Sequence, residues 1–186
     1  MEFIKTSLPD VILIKPKILS DSRGVFFEGY KKSLFVANGI TENFVQDNYS
    51  ISSFGVLRGL HYQSHPYPQS KLIRCITGCV FDVAVDIRPN SPTFGHWVGY
   101  ELSEANKYML YIPVGFAHGF LALTDNAMLS YKVRQEYSKE CDCGVRFDDP
   151  DINITWPKIS VDYIVSDKDM IQPSLRGSKH RDNLPV

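Results

Sequence analysis

Long hydrophobic runs and blocks of like charge are both missing from this sequence. The longest uninterrupted apolar stretches, such as Val11 to Ile14, are only a few residues long, whereas a membrane-spanning helix needs roughly 20. The 20 Lys and Arg and the 21 Asp and Glu of the 186 residues give a formal net charge of −1. This balance argues against a nucleic-acid arm, a polybasic membrane patch or an acidic tail. We therefore expect neither nucleic acid nor a membrane as a partner.

The chain also lacks an export signal and the usual motifs of zinc and phosphate sites. Met1 to Pro9 contains Glu2 and Lys5 and has no apolar run, so we expect a cytoplasmic protein. The four cysteines form one C-x3-C and one C-x-C pair, unlike the C-x2-C pairs of zinc ribbons. No G-x-G-x-x-G or Walker loop is present, so side chains must hold any bound phosphate.

Short strand signals fill most of the chain. Runs of β-branched and aromatic residues alternate with turn residues, which predicts an all-β sandwich or barrel. Helical signals are brief, at Lys31–Asn38, Ser103–Lys107 and Ser166–Met170. The length predicts a single domain, 1–186, with the polar segment 174–186 on its periphery. The predicted strands are Val11–Ile14, Gly24–Phe27, Val56–Tyr62, Leu72–Ile76, Val80–Ile87, Tyr108–Ile112, Phe116–Leu123 and Ala127–Val133.

One predicted strand carries polar residues in an unusual arrangement. Residues two apart on a strand share a face, which groups Leu57, Gly59, His61 and Gln63 and turns Arg58 the other way. A bulge at Gly59 would instead turn both Arg58 and His61 inward.

Other predicted strands add further polar residues beside apolar ones. Each of these residues alone could have a purely structural role. His118 could be a buried histidine with its hydrogen bonds made, Tyr131 could be a ring in the core, and Gln46 and Asn48 could be edge-strand residues. Lys71 is harder to account for in this way, because a buried lysine needs an anion nearby; Asp82 could pair with it. Together, these polar groups indicate a wet, functional cavity.

The segment Pro113–His118 has a P-x-G-x-x-H pattern that resembles the second motif of cupins. More specifically, the chain resembles the dTDP-4-dehydrorhamnose 3,5-epimerases over nearly its whole length, with motifs in the family's order. The resemblance implies a cupin-type double-stranded β-helix, or jelly-roll barrel, with a few short peripheral helices. The motifs that carry it are Asp21–Gly24, Gly55–Gln63, Gln69–Leu72, Ser91–Gly95, Gly115–Phe120, Asp148–Pro150 and Ser166–Asp169.

Many cupins bind a transition metal through an H-x-H pair, a carboxylate and a second-motif histidine. Here the pair is His61-x-Gln63, and Lys71 stands where a carboxylate is expected. An ammonium repels a divalent cation, and two imidazoles are too few for a tight site. We expect no metal and no cofactor.

The resemblance implies an epimerase that moves protons beside a ketone. It assigns His61 as the base, Asp169 as the residue that orients it, Lys71 as the group over the C4 oxygen and Tyr131 as the acid. Because relatives without this tyrosine tend to invert one carbon only, its presence favours inversion at both C3 and C5.

The resemblance also implies a set of substrate contacts. The guanidinium groups of Arg23 and Arg58 suit a diphosphate. Tyr137 is expected either to stack on thymine or simply to pack, and Asp142 replaces a frequent glutamate. The expected substrate-binding residues are Arg23, Glu28, Gln46, Asn48, Arg58, His118, Asp142, Lys168 and Tyr137.

The expected function is inversion of dTDP-4-dehydro-6-deoxy-D-glucose in dTDP-L-rhamnose synthesis. Three alternatives remain: an epimerase acting at one carbon or on another nucleotide-linked 4-keto sugar, a non-catalytic binding protein, and a metal-dependent cupin. The resemblance further implies a homodimer with exchanged N-terminal strands. Val11–Ile14 suits such an exchange, but an ordinary internal strand fits the sequence equally well.

Overall fold

The computed structural model describes residues 1–178 and has the predicted all-β architecture, with two short helices. The helices are α1 (Lys32–Ala37) and α2 (Asp167–Met170), and a 3-10 turn spans Lys139–Cys141. The strands are β1 (Glu2–Lys5), β2 (Ile12–Lys15), β3 (Leu19–Asp21), β4 (Gly24–Phe26), β5 (Gln46–Ser52), β6 (Val56–Gln63), β7 (Lys71–Thr77), β8 (Cys79–Asp86), β9 (Trp97–Ser103), β10 (Met109–Ile112), β11 (Phe116–Ala122), β12 (Ala127–Val133), β13 (Asp142–Gly144) and β14 (Ile164–Val165).

In residues 1–178 these strands form two six-stranded sheets and a separate β3–β4 hairpin. The first sheet has the order β1-β2-β10-β7-β12-β5; the second has β13-β6-β11-β8-β9, with β14 parallel to β6. The two sheets face each other, which is the jelly-roll arrangement expected from the sequence. Between them lies an apolar core that includes Ile73, Leu102, Leu110, Phe120 and Leu129.

The outer face of the second sheet is also buried. Strands β6, β8 and β11 place Leu60, Val83 and Leu121 in a second apolar cluster, which the chain segment after β13 covers with Trp156. The same cluster contains Leu175, whose N–H donates to Asp149 Oδ2 at 2.8 Å. Burying both faces of this sheet leaves its strands little freedom to shift register.

The boundaries of the eight predicted strands agree with the structure within one or two residues. The strands missing from that prediction are β1, β3, β5, β9, β13 and β14. The helix predicted at Ser103–Lys107 is wrong. β9 ends at Ser103, and a turn follows in which Asn106 Oδ1 accepts the N–H groups of Ser103 and Tyr108. Lys107 has a φ of 58°, which ends any helix there.

The predicted surface course of segment 174–186 is wrong for its first part. Leu175 and Ser178 are both buried, and the hydroxyl of Tyr62 hydrogen-bonds Ser178 Oγ. The apolar side chain of Leu175 fills the second cluster, so this segment is anchored by packing. Residues 179–186 lie outside the described residues.

A bulge at Gly59 turns β6 partway along its length. His61 pairs with His118 and Arg58 with Phe120, so one strand has an extra residue over this interval. The expected bulge is therefore confirmed, and Arg58 and His61 both face the cavity between the sheets. The regular grouping of Leu57 with His61 is wrong, because Leu57 lies in the outer cluster.

Only glycine fits the bulge. Gly59 has a φ of +129°, and a Cβ built on it would lie 2.6 Å from the Cα of Gly119 on β11. Gly24 has a similar φ of +125° but open space around its Cβ position, so it provides a matched comparison.

We expect Gly59→Ala to lower the free energy of unfolding more than Gly24→Ala. The backbone conformation alone costs a side chain about 1–3 kcal/mol at either position. At Gly59 the overlap with Gly119 adds about 1–3 kcal/mol. Urea denaturation of both variants at one protein concentration measures the difference, and equal losses would contradict a packing role for Gly59.

Candidate active site

A cavity of about 420 Å³ lies between the two sheets, and most of the sequence-predicted site residues line it. Strands β5, β7 and β12 supply one wall, and β6 and β11 supply the other. The residues from β13, α2 and the loop after β12 border the same cavity. Its lining is Gln46, Asn48, Ser50, Arg58, His61, Tyr62, Gln63, Gln69, Lys71, His118, Phe120, Tyr131, Tyr137, Asp142 and Lys168.

His61 and Asp169 form an imidazole–carboxylate pair. His61 Nε2 lies 2.6 Å from Asp169 Oδ1, while Asp169 Oδ2 accepts the N–H of Gly59 at 3.2 Å. Asp169 is buried on α2, where its own N–H donates to the capping residue Ser166. One carboxylate thus holds both the imidazole and the bulge that aims it.

The charge of Asp169 is favoured despite its burial. Burial alone would raise the pKa of this carboxyl, but the hydrogen bond and charge of His61 and the N–H of Gly59 lower it below its usual value. An ionised Asp169 is a hydrogen-bond acceptor only, so the Nε2 of His61 carries the proton in this pair. The other ring nitrogen of His61 is then left to act as a base.

Lys71 is the buried cation of the cavity. It is 6% exposed, and its Nζ donates to the backbone oxygen of His61 at 3.0 Å. Burial lowers the pKa of Lys71 to about 8, against the opposing charges of Asp82 and Asp142. A cation at this place can stabilise negative charge that develops on a bound carbonyl oxygen.

Among residues 1–178, Lys71 forms no ion pair with Asp82, a pairing that the sequence left open. The carboxylate of Asp82 binds His118 instead, with 2.8 Å between Asp82 Oδ2 and His118 Nε2. The reason is geometric: β8 and β11 are adjacent, with Asp82 opposite Phe120 and Ala84 opposite His118. Asp82 and His118 are therefore diagonal neighbours on the same face of the sheet. Burial lowers the pKa of His118, with Asp82 opposing that shift and Lys71 and His61 adding to it.

Tyr131 and His61 line the same cavity from opposing sheets, Tyr131 on β12 and His61 on β6. Burial raises the pKa of the Tyr131 phenol, although Arg58 opposes the shift. The phenol therefore keeps its proton at neutral pH. A ligand between the sheets would lie between an imidazole on one wall and a protonated phenol on the other.

A chain of polar contacts forms the cavity mouth. Gln46 Nε2 donates to Asn48 Oδ1 at 2.7 Å, and its Oε1 accepts the N–H of Tyr137 at 3.0 Å. Asp142 Oδ2 accepts from both the Tyr137 hydroxyl at 3.0 Å and Lys168 Nζ at 2.5 Å. The Tyr137 ring itself is exposed.

Gln63 does not act as a replacement for a metal-binding histidine. Its Nε2 donates to the backbone oxygens of Tyr67 and Glu136, and its Oε1 accepts the N–H of Ser138. These bonds hold the loop that carries Tyr137. Among residues 1–178 there is no group of three or more His, Cys, Asp or Glu side chains that could hold a metal ion.

Two expected substrate contacts, Arg23 and Glu28, lie outside the cavity of their own chain. The Arg23 side chain is 88% exposed and pairs with Asp21 on the β3–β4 hairpin, and Glu28 pairs with Lys31. The structure thus brings the other predicted residues together, with Asp169 behind His61, but not these two.

Sequence reasoning missed several cavity residues. Ser50 follows Asn48 by two positions on β5, so strand alternation applied one step further finds it. Gln69 also lines the cavity. It lies inside the motif Gln69–Leu72, but a glutamine by itself does not indicate a binding role. The pairing of Asp82 with His118 has no local sequence signal, because 36 residues separate them.

A protein-family model described as dTDP-4-dehydrorhamnose 3,5-epimerase matches residues 5–177 of the chain. The chain belongs to the dTDP-4-dehydrorhamnose 3,5-epimerase family. This family consists of isomerases that act on dTDP sugars.

In residues 1–178, no helix is long and apolar enough to cross a membrane.

Relatives of this epimerase family match most of the chain. The dTDP-4-dehydrorhamnose 3,5-epimerase of Shigella flexneri is 53% identical over 171 residues, covering 91% of this chain and 93% of that protein. The crystal structure of dTDP-6-deoxy-D-glucose-3,5-epimerase from Legionella pneumophila, in complex with dTDP-4-keto-L-rhamnose, superposes with a TM-score of 0.91 at 45% identity. That match covers 94% of this chain and 93% of the other.

A more distant similarity is to a 3′-monoepimerase, ChmJ from Streptomyces bikiniensis. Its structure in complex with dTDP is that of a double mutant, in which a histidine is replaced by asparagine and a tyrosine by phenylalanine. It has a TM-score of 0.88 at 33% identity and covers 97% of this chain and 91% of its own.

We expect the kcat/KM of this epimerase to fall as pH rises through about 8, where Lys71 loses its proton. The protonated form, present at lower pH, is the one that stabilises an oxyanion. In Lys71→Arg the guanidinium stays charged across this range, so this decline should disappear even where overall activity is reduced. A decline at an unchanged pH in the arginine variant would contradict the assignment to Lys71.

Proposed function

We propose that this protein inverts C3 and C5 of dTDP-4-dehydro-6-deoxy-D-glucose and gives dTDP-4-dehydro-L-rhamnose. One observation carries the proposal: the His61–Asp169 pair and Tyr131 lie on opposing sheets, with the Lys71 ammonium in the same cavity. Inversion beside a ketone needs a base and an acid on opposite faces of the sugar and a cation for the enolate.

The first step is proton removal. The free ring nitrogen of His61 takes the proton from the carbon beside the C4 ketone, and the electron pair of that C–H bond moves to form an enolate. Asp169 stabilises the imidazolium that results. Lys71 holds the negative charge as it develops on the C4 oxygen.

The second step is protonation from the other face. The Tyr131 phenol gives its proton to the same carbon, the enolate returns to a ketone, and the configuration of that carbon is inverted. Solvent then restores the proton of Tyr131 and removes the one on His61. The same cycle at the second carbon completes the double inversion, with no hydride transferred and no metal or cofactor needed.

Side chains at the cavity mouth are proposed to hold the nucleotide. Arg58 offers a planar guanidinium to the diphosphate, and Lys168 adds a second cation near the entrance. The exposed ring of Tyr137 is available to stack on the thymine base. Gln46, Asn48 and the other predicted contacts complete the polar lining around the sugar.

We also propose a homodimer in which each β3–β4 hairpin reaches the cavity of the other chain. The hairpin exposes Leu19, Val25 and Phe26 as well as Arg23, and such apolar exposure typically marks a contact surface. In contrast, β2 pairs with β1 and β10 of its own chain, so we place the exchange in the hairpin, not in Val11–Ile14. This arrangement would bring Arg23 and Glu28 to a substrate.

The cellular role follows from the proposed product. dTDP-4-dehydro-L-rhamnose is a precursor of dTDP-L-rhamnose, which supplies cell-surface polysaccharides such as O-antigen. We propose that the protein acts in the cytoplasm, with neither nucleic acid nor a membrane as a partner. The net charge of −1 supports the absence of these two partners, because it provides no strong attraction to nucleic acid or to an anionic membrane surface.

Deuterium exchange tests the reaction. In deuterium oxide, NMR of the substrate should show exchange at both C3 and C5 with the wild-type protein. His61→Asn should abolish exchange while sparing nucleotide binding, whereas His65→Asn, an exposed change outside the cavity, should leave it intact. Nucleotide binding by the wild type without any exchange would instead indicate a non-catalytic binding protein.

Epimerisation at a single carbon is the second candidate, favoured by the similarity to a 3′-monoepimerase. The tyrosine replaced in that double mutant belongs to a monoepimerase. The presence of Tyr131 alone therefore does not decide between single and double inversion. Exchange confined to one carbon would establish the single-site reaction. Stoichiometric metal in the active protein would contradict the metal-free reaction.

Mixing two inactive variants tests the exchanged hairpin. We expect Arg23→Ala and His61→Asn each to lose activity alone. After co-refolding, mixed dimers should contain sites with an intact His61 and an intact partner hairpin, about a quarter of all sites at equal mixing. Restored exchange activity supports the arrangement, and a mixture no more active than its parts contradicts it.

A further inference from the structure

Asp82 is a fully buried carboxylate that touches the proposed catalytic cavity without lining it. It lies on β8, is 0% exposed and contacts the cavity residue His118 through Oδ2. Within residues 1–178 its Oδ1 has no hydrogen-bond partner. A buried carboxyl group with one oxygen left without a partner costs free energy.

The contact with His118 fixes which ring nitrogen can serve a ligand. A carboxylate only accepts hydrogen bonds, so the Nε2 of His118 must carry the proton. In the neutral imidazole, Nδ1 is then the acceptor and the one ring nitrogen left for a substrate. A sugar hydroxyl is a group that donates to such an acceptor.

The same carboxylate acts on Lys71. The charges of Asp82 and Asp142 oppose the loss of the Lys71 proton that burial promotes. Asp142 is also committed to Lys168 and Tyr137 at the cavity mouth, whereas Asp82 has an oxygen without a direct partner. Several titratable and charged groups share the cavity of Lys71 or contact its lining. They are Arg58, His61 and Tyr62 on β6, His118 on β11 with Asp82 of β8 behind it, Tyr131 on β12, Tyr137 in the loop after β12, Asp142 on β13 and Lys168 on α2.

We propose that Asp82 is a positioning residue for this epimerisation: it holds His118 with Nδ1 available to a substrate hydroxyl, and its charge retains the Lys71 ammonium. The proposal rests on the proposed function for its kinetic consequences but not for the state of His118. Asp82 acts through these two side chains and does not touch the reacting carbons.

Asp86 offers a matched control on the same strand. It is also a fully buried aspartate, but it binds Arg88, Ser91 and Thr93 and takes no part in the cavity. Asp82→Asn and Asp86→Asn remove the same charge from the same strand, and only the first removes it beside His118 and Lys71.

The kinetic test compares these two variants with the wild type. We expect Asp82→Asn to lower kcat about 10- to 100-fold, the loss seen at metal sites when the carboxylate that orients a histidine is removed. We also expect the decline of kcat/KM on the basic side to move to lower pH, since Lys71 loses an opposing negative charge. Asp86→Asn should lower Tm but leave kcat and this decline unchanged. An Asp82→Asn variant with unchanged kinetics, or with a lower Tm and an unmoved pH profile, would overturn the proposal.

A spectroscopic test does not depend on activity. Nitrogen NMR of imidazole-labelled wild-type protein should show His118 neutral and protonated on Nε2 at pH 7, assigned by its absence in His118→Asn. Protonation on Nδ1 would overturn the proposal. A wild type that shows the expected His118 state but exchanges no substrate protons would refute the proposed function alone.

Discussion

The two hydrogen bonds of one carboxylate, Asp169, determine the arrangement of the cavity. They join α2, from the end of the described chain, to two points on β6: the imidazole of His61 and the N–H of Gly59. Since the bulge at Gly59 turns both Arg58 and His61 inward, the same carboxylate fixes the strand geometry and the orientation of the His61 imidazole. A fold that places a base this firmly loses little entropy when a substrate binds.

Around this point the two sheets supply complementary chemistry. The second sheet provides two histidines, and each is paired with an aspartate: His61 with Asp169 of α2, and His118 with Asp82 of β8. The first sheet provides Lys71 and Tyr131. Burial moves the pKa of the lysine down and that of the tyrosine up, so one low-dielectric cavity brings the ammonium near its deprotonation point while keeping the phenol protonated.

The strands that carry these polar side chains are held in place by apolar packing on both faces of the second sheet. The core between the sheets and the cluster on the outer face of the second sheet hold the strands in register. Burying a charge costs free energy. Here the buried Asp169 and Asp82 each form a hydrogen bond with a histidine of the cavity. Hydrophobic packing therefore stabilises the barrel, and paired charges make its interior reactive.

The sequence by itself determined the all-β class, most strand positions and the residues with proton-transfer chemistry, because period-two alternation, turn residues and family motifs are local signals. It also indicated the bulge, because a glycine between Arg58 and His61 supplies the backbone freedom that turning both side chains inward requires. Tertiary structure alone decided that Asp82 binds His118 and not Lys71, and that Leu175 packs into the cluster on the outer face of the second sheet. It also decided that Arg23 lies outside its own chain's cavity. Those outcomes depend on which distant strands become neighbours, and strand pairing is set by the packing of the whole barrel, which no short stretch of sequence contains.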